Sequence, residues 1–157
     1  MQKITPFLWF DNNAEEAMNF YTSVFKNSKI GSVSRHDDAR TGSKGTVLVG
    51  TISLEGQEFM LLNGGPNFKF TPAISLLVNC ETQDEVDYYW DKLISGGGKP
   101  SRCGWLEDKF GLSWQIVPAA LSKLMSSGSA EQWNRVMQAL LKMEKLIIAD
   151  LQKAYDG

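Results

Sequence analysis

Few side chains in this 157-residue sequence carry the chemistry that a catalyst needs. The one histidine, His36, stands between Arg35 and Asp37 and could serve as an acid or base near neutral pH. Catalysis also needs a positioned partner, and a place at a strand end before a polar loop favours an exposed structural role. The two cysteines are Cys80 and Cys103. A nucleophilic thiol needs a nearby base or positive charge. Arg102 adjoins Cys103 but points to the opposite face of a strand, and no Cys–His spacing is evident. Cys103 therefore reads as a ligand-facing residue at the opening of a hairpin or, by the packing habit of free cysteine, as a small buried hydrophobe. Cys80 has no functional argument.

Gln115 is the sharpest candidate for ligand contact. Strand alternation puts Ser113, Gln115 and Val117 on one face, and Trp114 and Ile116 on the other. The amide can orient a ligand or satisfy a backbone group. Trp9, Trp105 and Trp114, with Phe7, Phe10 and Phe110, could wall an aromatic pocket, although strand aromatics are mostly core. Glu55, Glu58, Glu107 and Asp108 flank turns and read as solvated.

These residues need a frame, and the chain supplies one twice. Strand-like runs at 4–10, 30–36, 46–54 and 58–62 surround a helix opened by Asn13 and Glu16 at capping-box spacing. Ala14, Ala17, Met18, Tyr21, Val24 and Phe25 form its apolar stripe. Asp37 to Lys44 is a polar loop. The cycle restarts after Gly64-Gly65-Pro66, with a strand at 74–78 and a helix capped by Thr82 and Glu85. A hairpin from Cys103 to Pro118 follows, turning at Phe110-Gly111. A shift of 68 overlays Phe20-Tyr21 on Tyr88-Tyr89, and a shift of 55 overlays the hairpins, Met60 falling on Gln115. The difference predicts a second half 13 residues shorter, trimmed in the loop after its helix. Beyond Pro118, Ser129 and Gln132 form a third capping box, opening a seven-turn apolar helix to Tyr155. Its broad face calls for cover by the domain's own sheet or by another subunit.

The fold expected is α+β, two βαβββ modules with a helical tail: module one 1–66, module two 67–118, tail 119–157. A chain of this length should bury roughly 70% of its unfolded surface, and 43% hydrophobic content excludes wholesale disorder. A net charge of −2 without a basic run excludes a nucleic-acid footprint. No apolar stretch suggests a membrane span. The first residues lack the features of a signal peptide, and two cysteines make no disulfide framework. A reduced, cytoplasmic setting is expected.

The segment 13–21 (NAEEAMNFY), the 103–118 hairpin and the tail 135–143 (RVMQALLKM) together resemble the PhnB-like branch of the vicinal oxygen chelate superfamily. That superfamily also contains glyoxalase, bleomycin-resistance proteins and extradiol dioxygenases. The resemblance implies paired βαβββ modules, each a curved sheet around a cavity, commonly as homodimers, with the Gln115 face on the cavity side. Members often carry the name demethylubiquinone methyltransferase. Methyl transfer usually needs a glycine-rich turn after a strand, whereas Gly96-Gly97-Gly98 follows a helix and reads as its C-terminal cap. The superfamily's enzymes hold a divalent metal with four His or Glu ligands. The corresponding positions fall at or next to Pro6, Met60, Ile74 and Gln115, a set poor in donors for such a cation.

The expectation is therefore a homodimer that binds, and in a resistance-type role sequesters, a small, partly apolar molecule. No metal, other cofactor, nucleic acid or membrane is expected. The pocket candidates are Gln115, Cys103, Met60, Trp105, Phe10 and His36. The competing readings are a metal-dependent lyase, isomerase or dioxygenase, the methyltransferase of the family name, and a structural dimer whose cavity its own side chains fill.

Overall fold

The computed structural model describes residues 2–37 and 44–157; most of the polar loop expected at 37–44 lies outside the described residues. Two compact units meet in sequence between Phe70 and Thr71. In the first, β1 (Phe7–Phe10), α1 (Ala14–Val24), β2 (Ser28–Arg35), β3 (Val47–Leu54) and β4 (Gln57–Asn63) follow one another. The sheet order is β1-β4-β3-β2, with β1 parallel to β4 and the other pairs antiparallel. Alternation gives this sheet two unlike faces. Leu8, Phe10, Ile52, Phe59 and Leu61 are buried on one, as is the α1 stripe of Ala14, Ala17, Met18, Tyr21 and Val24. The close approach requires Gly50, where an added Cβ would fall 2.5 Å from the Met18 sulfur.

The start of α1 differs from expectation. Asn13 makes no side-chain cap; instead Ala14 N–H donates to Asn63 Oδ1 at 2.8 Å, while Asn63 Nδ2 donates to Val47 O at 3.0 Å. One amide from the end of β4 thus satisfies the helix terminus and fastens it to the sheet. Backbone angles of −117° and 25° at Asn13 lie outside the extended geometry that a capping side chain uses.

The second unit repeats the order with β5 (Ser75–Cys80), α2 (Gln83–Ile94), β6 (Lys99–Pro100), β7 (Trp105–Glu107) and β8 (Ser113–Pro118), arranged β5-β8-β7-β6. The halves correspond, but in a corrected register. Caps Asn13 and Thr82, and the buried positions Ala17, Tyr21 and Val24 against Val86, Trp90 and Leu93, all differ by 69 rather than 68. The trimming also removed strand as well as loop: β6 and β7 have two and three residues where β2 and β3 have eight each.

The tail is not one seven-turn helix. It forms α3 (Ala119–Ser127), α4 (Ala130–Leu140) and α5 (Ile148–Asp156). The Ser129–Gln132 capping box is present. Residues 141–147 leave the helix because tertiary partners claim their backbone: Cys103 N–H donates to Met143 O and Gly104 N–H to Glu144 O, both at 2.8 Å. Gln83 of α2 then donates to Leu146 O and accepts from Ile148 N–H, so its amide caps α5. Lys145 reaches Asp87 and Asp91 of α2. Part of the apolar face is covered by the tail itself, while Trp133 and Leu141 stay exposed at 42% and 55%. Leu124, Val136, Leu146 and Leu151 form a separate small core.

Candidate functional site

Each sheet has one face turned from its helix, and three of the six pocket candidates lie there. Residues directly opposite in a ladder share a face and nearly touch. On the first sheet, Met60 pairs with Phe7 and Thr51, and Leu62 with Trp9 and Val49. Phe7 is 52% exposed, and Met60 and Trp9 are half-buried. Trp9 is fixed from both ends: its indole N–H donates to Gly65 O at 2.9 Å, and its ring meets Phe68 edge-on at 5.0 Å.

On the second sheet the corresponding row is Leu77–Gln115–Trp105. Gln115 Nε2 donates to Ser75 Oγ at 2.9 Å. Oε1 has no hydrogen bond among the described residues. The next row joins Ser75, Ser113, Glu107 and Lys99. Opposite, Leu106, Trp114 and Ile116 are buried on the face that α2 covers.

Of the six pocket candidates, Gln115 and Trp105 are neighbours, and Met60 holds the matching place on the first sheet. Phe10 lies on the other face of its sheet from Met60, 3% exposed and edge-on to Phe70 at 5.2 Å. Cys103 lies just before β7, half-buried, with a left-handed φ of 59° that the Met143 carbonyl helps to hold. His36 closes the β2–β3 hairpin through backbone bonds with Thr46 and Gly45. Beside it, the Arg35 guanidinium grips Glu15 with two bonds, which holds the Glu15 carboxyl below the usual range. Cys80 is fully buried, and desolvation, aided by the Glu85 charge, pushes its thiol up to about 12. It is a packing residue.

Sequence reasoning missed Ser75 and Leu77, whose relation to Gln115 depends on the parallel register of β5 and β8. It also misjudged Asp108, which is 2% exposed rather than solvated. Its carboxylate accepts from the N–H groups of Phe110 and Leu112 and from the Trp114 indole at 2.9–3.0 Å. The hairpin turn is folded around it.

The family model described as 3-demethylubiquinone-9 3-methyltransferase matches residues 2–117. The chain belongs to this family. It is 48% identical to a putative 3-demethylubiquinone-9 3-methyltransferase, PhnB protein, from Bacillus cereus, with a TM-score of 0.70. That match covers 75% of this chain and all of the other. A protein from Pseudomonas aeruginosa shares the fold at 17% identity and a TM-score of 0.63, over 75% of this chain and 98% of its own. So does the fosfomycin resistance protein FosX from Listeria monocytogenes, complexed with Mn(II) and sulfate, at 13% and 0.55, over 80% and 98%. Curated proteins give no match. The fold is that of the vicinal oxygen chelate superfamily. No helix among the described residues is long and apolar enough to cross a membrane.

The divalent metal of the superfamily's enzymes does not fit the side chains present. The residues paired at the outermost and last strands of each sheet are Phe7 with Met60 and Leu77 with Gln115. The first pair offers one thioether and the second one amide oxygen, where a hard cation needs several oxygen or nitrogen donors. Pro6 and Ile74, one or more residues away, add no side-chain donor. No group of three or more His, Cys, Asp and Glu able to hold an ion occurs among the described residues.

Proposed function

We propose that this chain binds a small, partly apolar molecule as a cytoplasmic homodimer and does so without a divalent metal. The observation that carries the reading is the makeup of the two open sheet faces. Phe7, Trp9 and Met60 on one, and Leu77, Trp105 and Gln115 on the other, give apolar surface with a few fixed polar groups, the usual makeup of a small-molecule site. The exposure of Phe7 and Leu77, 52% and 50%, supports a role for these faces in contact with a ligand or a second chain. Capture without turnover, a resistance-type role, needs nothing more than this.

The methyltransferase of the family description has less support. The Gly96–Gly98 run follows α2 and leads into β6, so it does not make the strand-to-helix turn that cradles a nucleotide. Two measurements test the proposal. Elemental analysis of protein purified without chelator is expected to find no stoichiometric Mn, Fe, Ni or Zn, and one ion per chain would overturn the metal-free reading. A thermal-shift screen of partly apolar compounds is expected to yield stabilising ligands, since saturation at 100 times Kd adds about 2.7 kcal/mol. A Gln115→Ala variant that binds every hit unchanged would remove that residue from the site.

A further inference from the structure

We propose that the open face of the second sheet selects a ligand carrying a protonated nitrogen on a flat apolar body, with Glu107 and Gln115 receiving the nitrogen and Trp105 the body. The proposal rests on the binding role argued above and specifies its chemistry. Trp105 and Glu107 are two residues apart on β7 and share the face that carries Gln115. All three are half-buried. One N–H of Gln115 is donated to Ser75, which places its Oε1 as an acceptor on this face beside the second N–H. The Glu107 carboxylate is an acceptor with a full negative charge, and it makes no hydrogen bond or ion pair among the described residues. Lys99 stands directly across the ladder from Glu107, yet the two form no ion pair.

Two acceptors, partly withdrawn from water and without protein donors, favour a ligand that brings donors. The negative charge makes a cationic donor the stronger partner. Trp105 adds an aromatic face, which attracts cations and flat apolar groups alike. The row from Leu77 to Trp105 crosses two strand spacings, about 10 Å, a span comparable to a fused bicyclic ring.

The test uses three matched probes with the intact protein: 2-naphthylmethylamine, 2-naphthylmethanol and 2-naphthoate, titrated calorimetrically at pH 7. The amine is expected to bind about tenfold more tightly than the alcohol, as a charge-assisted bond predicts, and the carboxylate most weakly. Glu107→Gln, which keeps the shape of the side chain, should bring amine and alcohol to the same affinity. Trp105→Leu should weaken both. Binding of the alcohol or carboxylate at least as tightly as the amine would overturn the cation inference and leave the binding role standing. A tenfold preference that survives in Glu107→Gln would overturn it as well. If none of the three binds, the inference fails, and a screen without hits would take the binding role with it.

Discussion

Replacing Asp108 with Asn tests whether the hairpin is built around a buried charge. The carboxylate receives Phe110 and Leu112 N–H on Oδ1 and the Trp114 indole N–H on Oδ2, at 2.9–3.0 Å. In Asp108→Asn the remaining oxygen can still take both backbone donors, but an amide NH2 then faces the indole N–H. One charge-assisted bond is lost, and two donors oppose each other at a site that is 2% exposed. Hydrogen bonds to charged groups are worth about 1.5–3 kcal/mol and a buried unsatisfied donor costs about 1–3 kcal/mol; since the indole can shift slightly, a loss of about 2–4 kcal/mol is expected. Trp114→Phe removes the opposing donor, so Asp108→Asn should cost about 1–2 kcal/mol less in that background, a coupling of ordinary size for touching residues. Urea unfolding followed by far-ultraviolet circular dichroism measures all four corners of the cycle without relying on tryptophan emission. A single variant within 0.5 kcal/mol of the parent, or equal costs in both backgrounds, would refute the account.

Three further outcomes follow from the packing. Ellman's reagent at pH 8 should titrate one thiol, Cys103, in the native protein and a second only after unfolding, because Cys80 is buried with its thiol raised from 9.0 to about 12. Since the unfolded chain releases that proton first, the Cys80 contribution to stability is complete below pH 9 and is lost as the pH rises toward 12. Gly104→Ala should cost about 1–3 kcal/mol, a usual range for strained backbone, and hasten protease cleavage within 141–147. Gly104 has a φ of 83°, and its new Cβ would lie 2.9 Å from Ile116 O and 3.1 Å from Leu146.

What the sequence revealed depended on how local the physics was. The α1 and α2 stripes, the Ser129 cap and the Glu55-Gly56 turn are set by neighbours within a few residues, and all could be read. The break at 141–147 could not, since Lys142 to Ile147 contains no glycine or proline and the carbonyls that leave the helix answer to Cys103 and Gly104. Asn63 as the cap of α1, and Gln83 as that of α5, are amides acting across 49 and 65 residues. Asp108 looked solvated because a carboxylate beside a turn usually is; only the inward swing of Trp114 encloses it. For the site, alternation placed Gln115 on its face, but Leu77 and Ser75 entered only through the pairing of β5 with β8.

The last helix borrows side-chain contacts at both of its ends. Ile147 provides no side-chain cap at its start, where Gln83 acts instead, and at its end Arg135 donates to the carbonyls of Ala154 and Tyr155 at 2.9 and 2.7 Å. Nine residues are too few to stay helical in water unaided. Its stability is therefore borrowed from α2 and α4, which hold its two ends. Loosening either socket, Gln83 on α2 or Arg135 on α4, therefore frees the same nine residues.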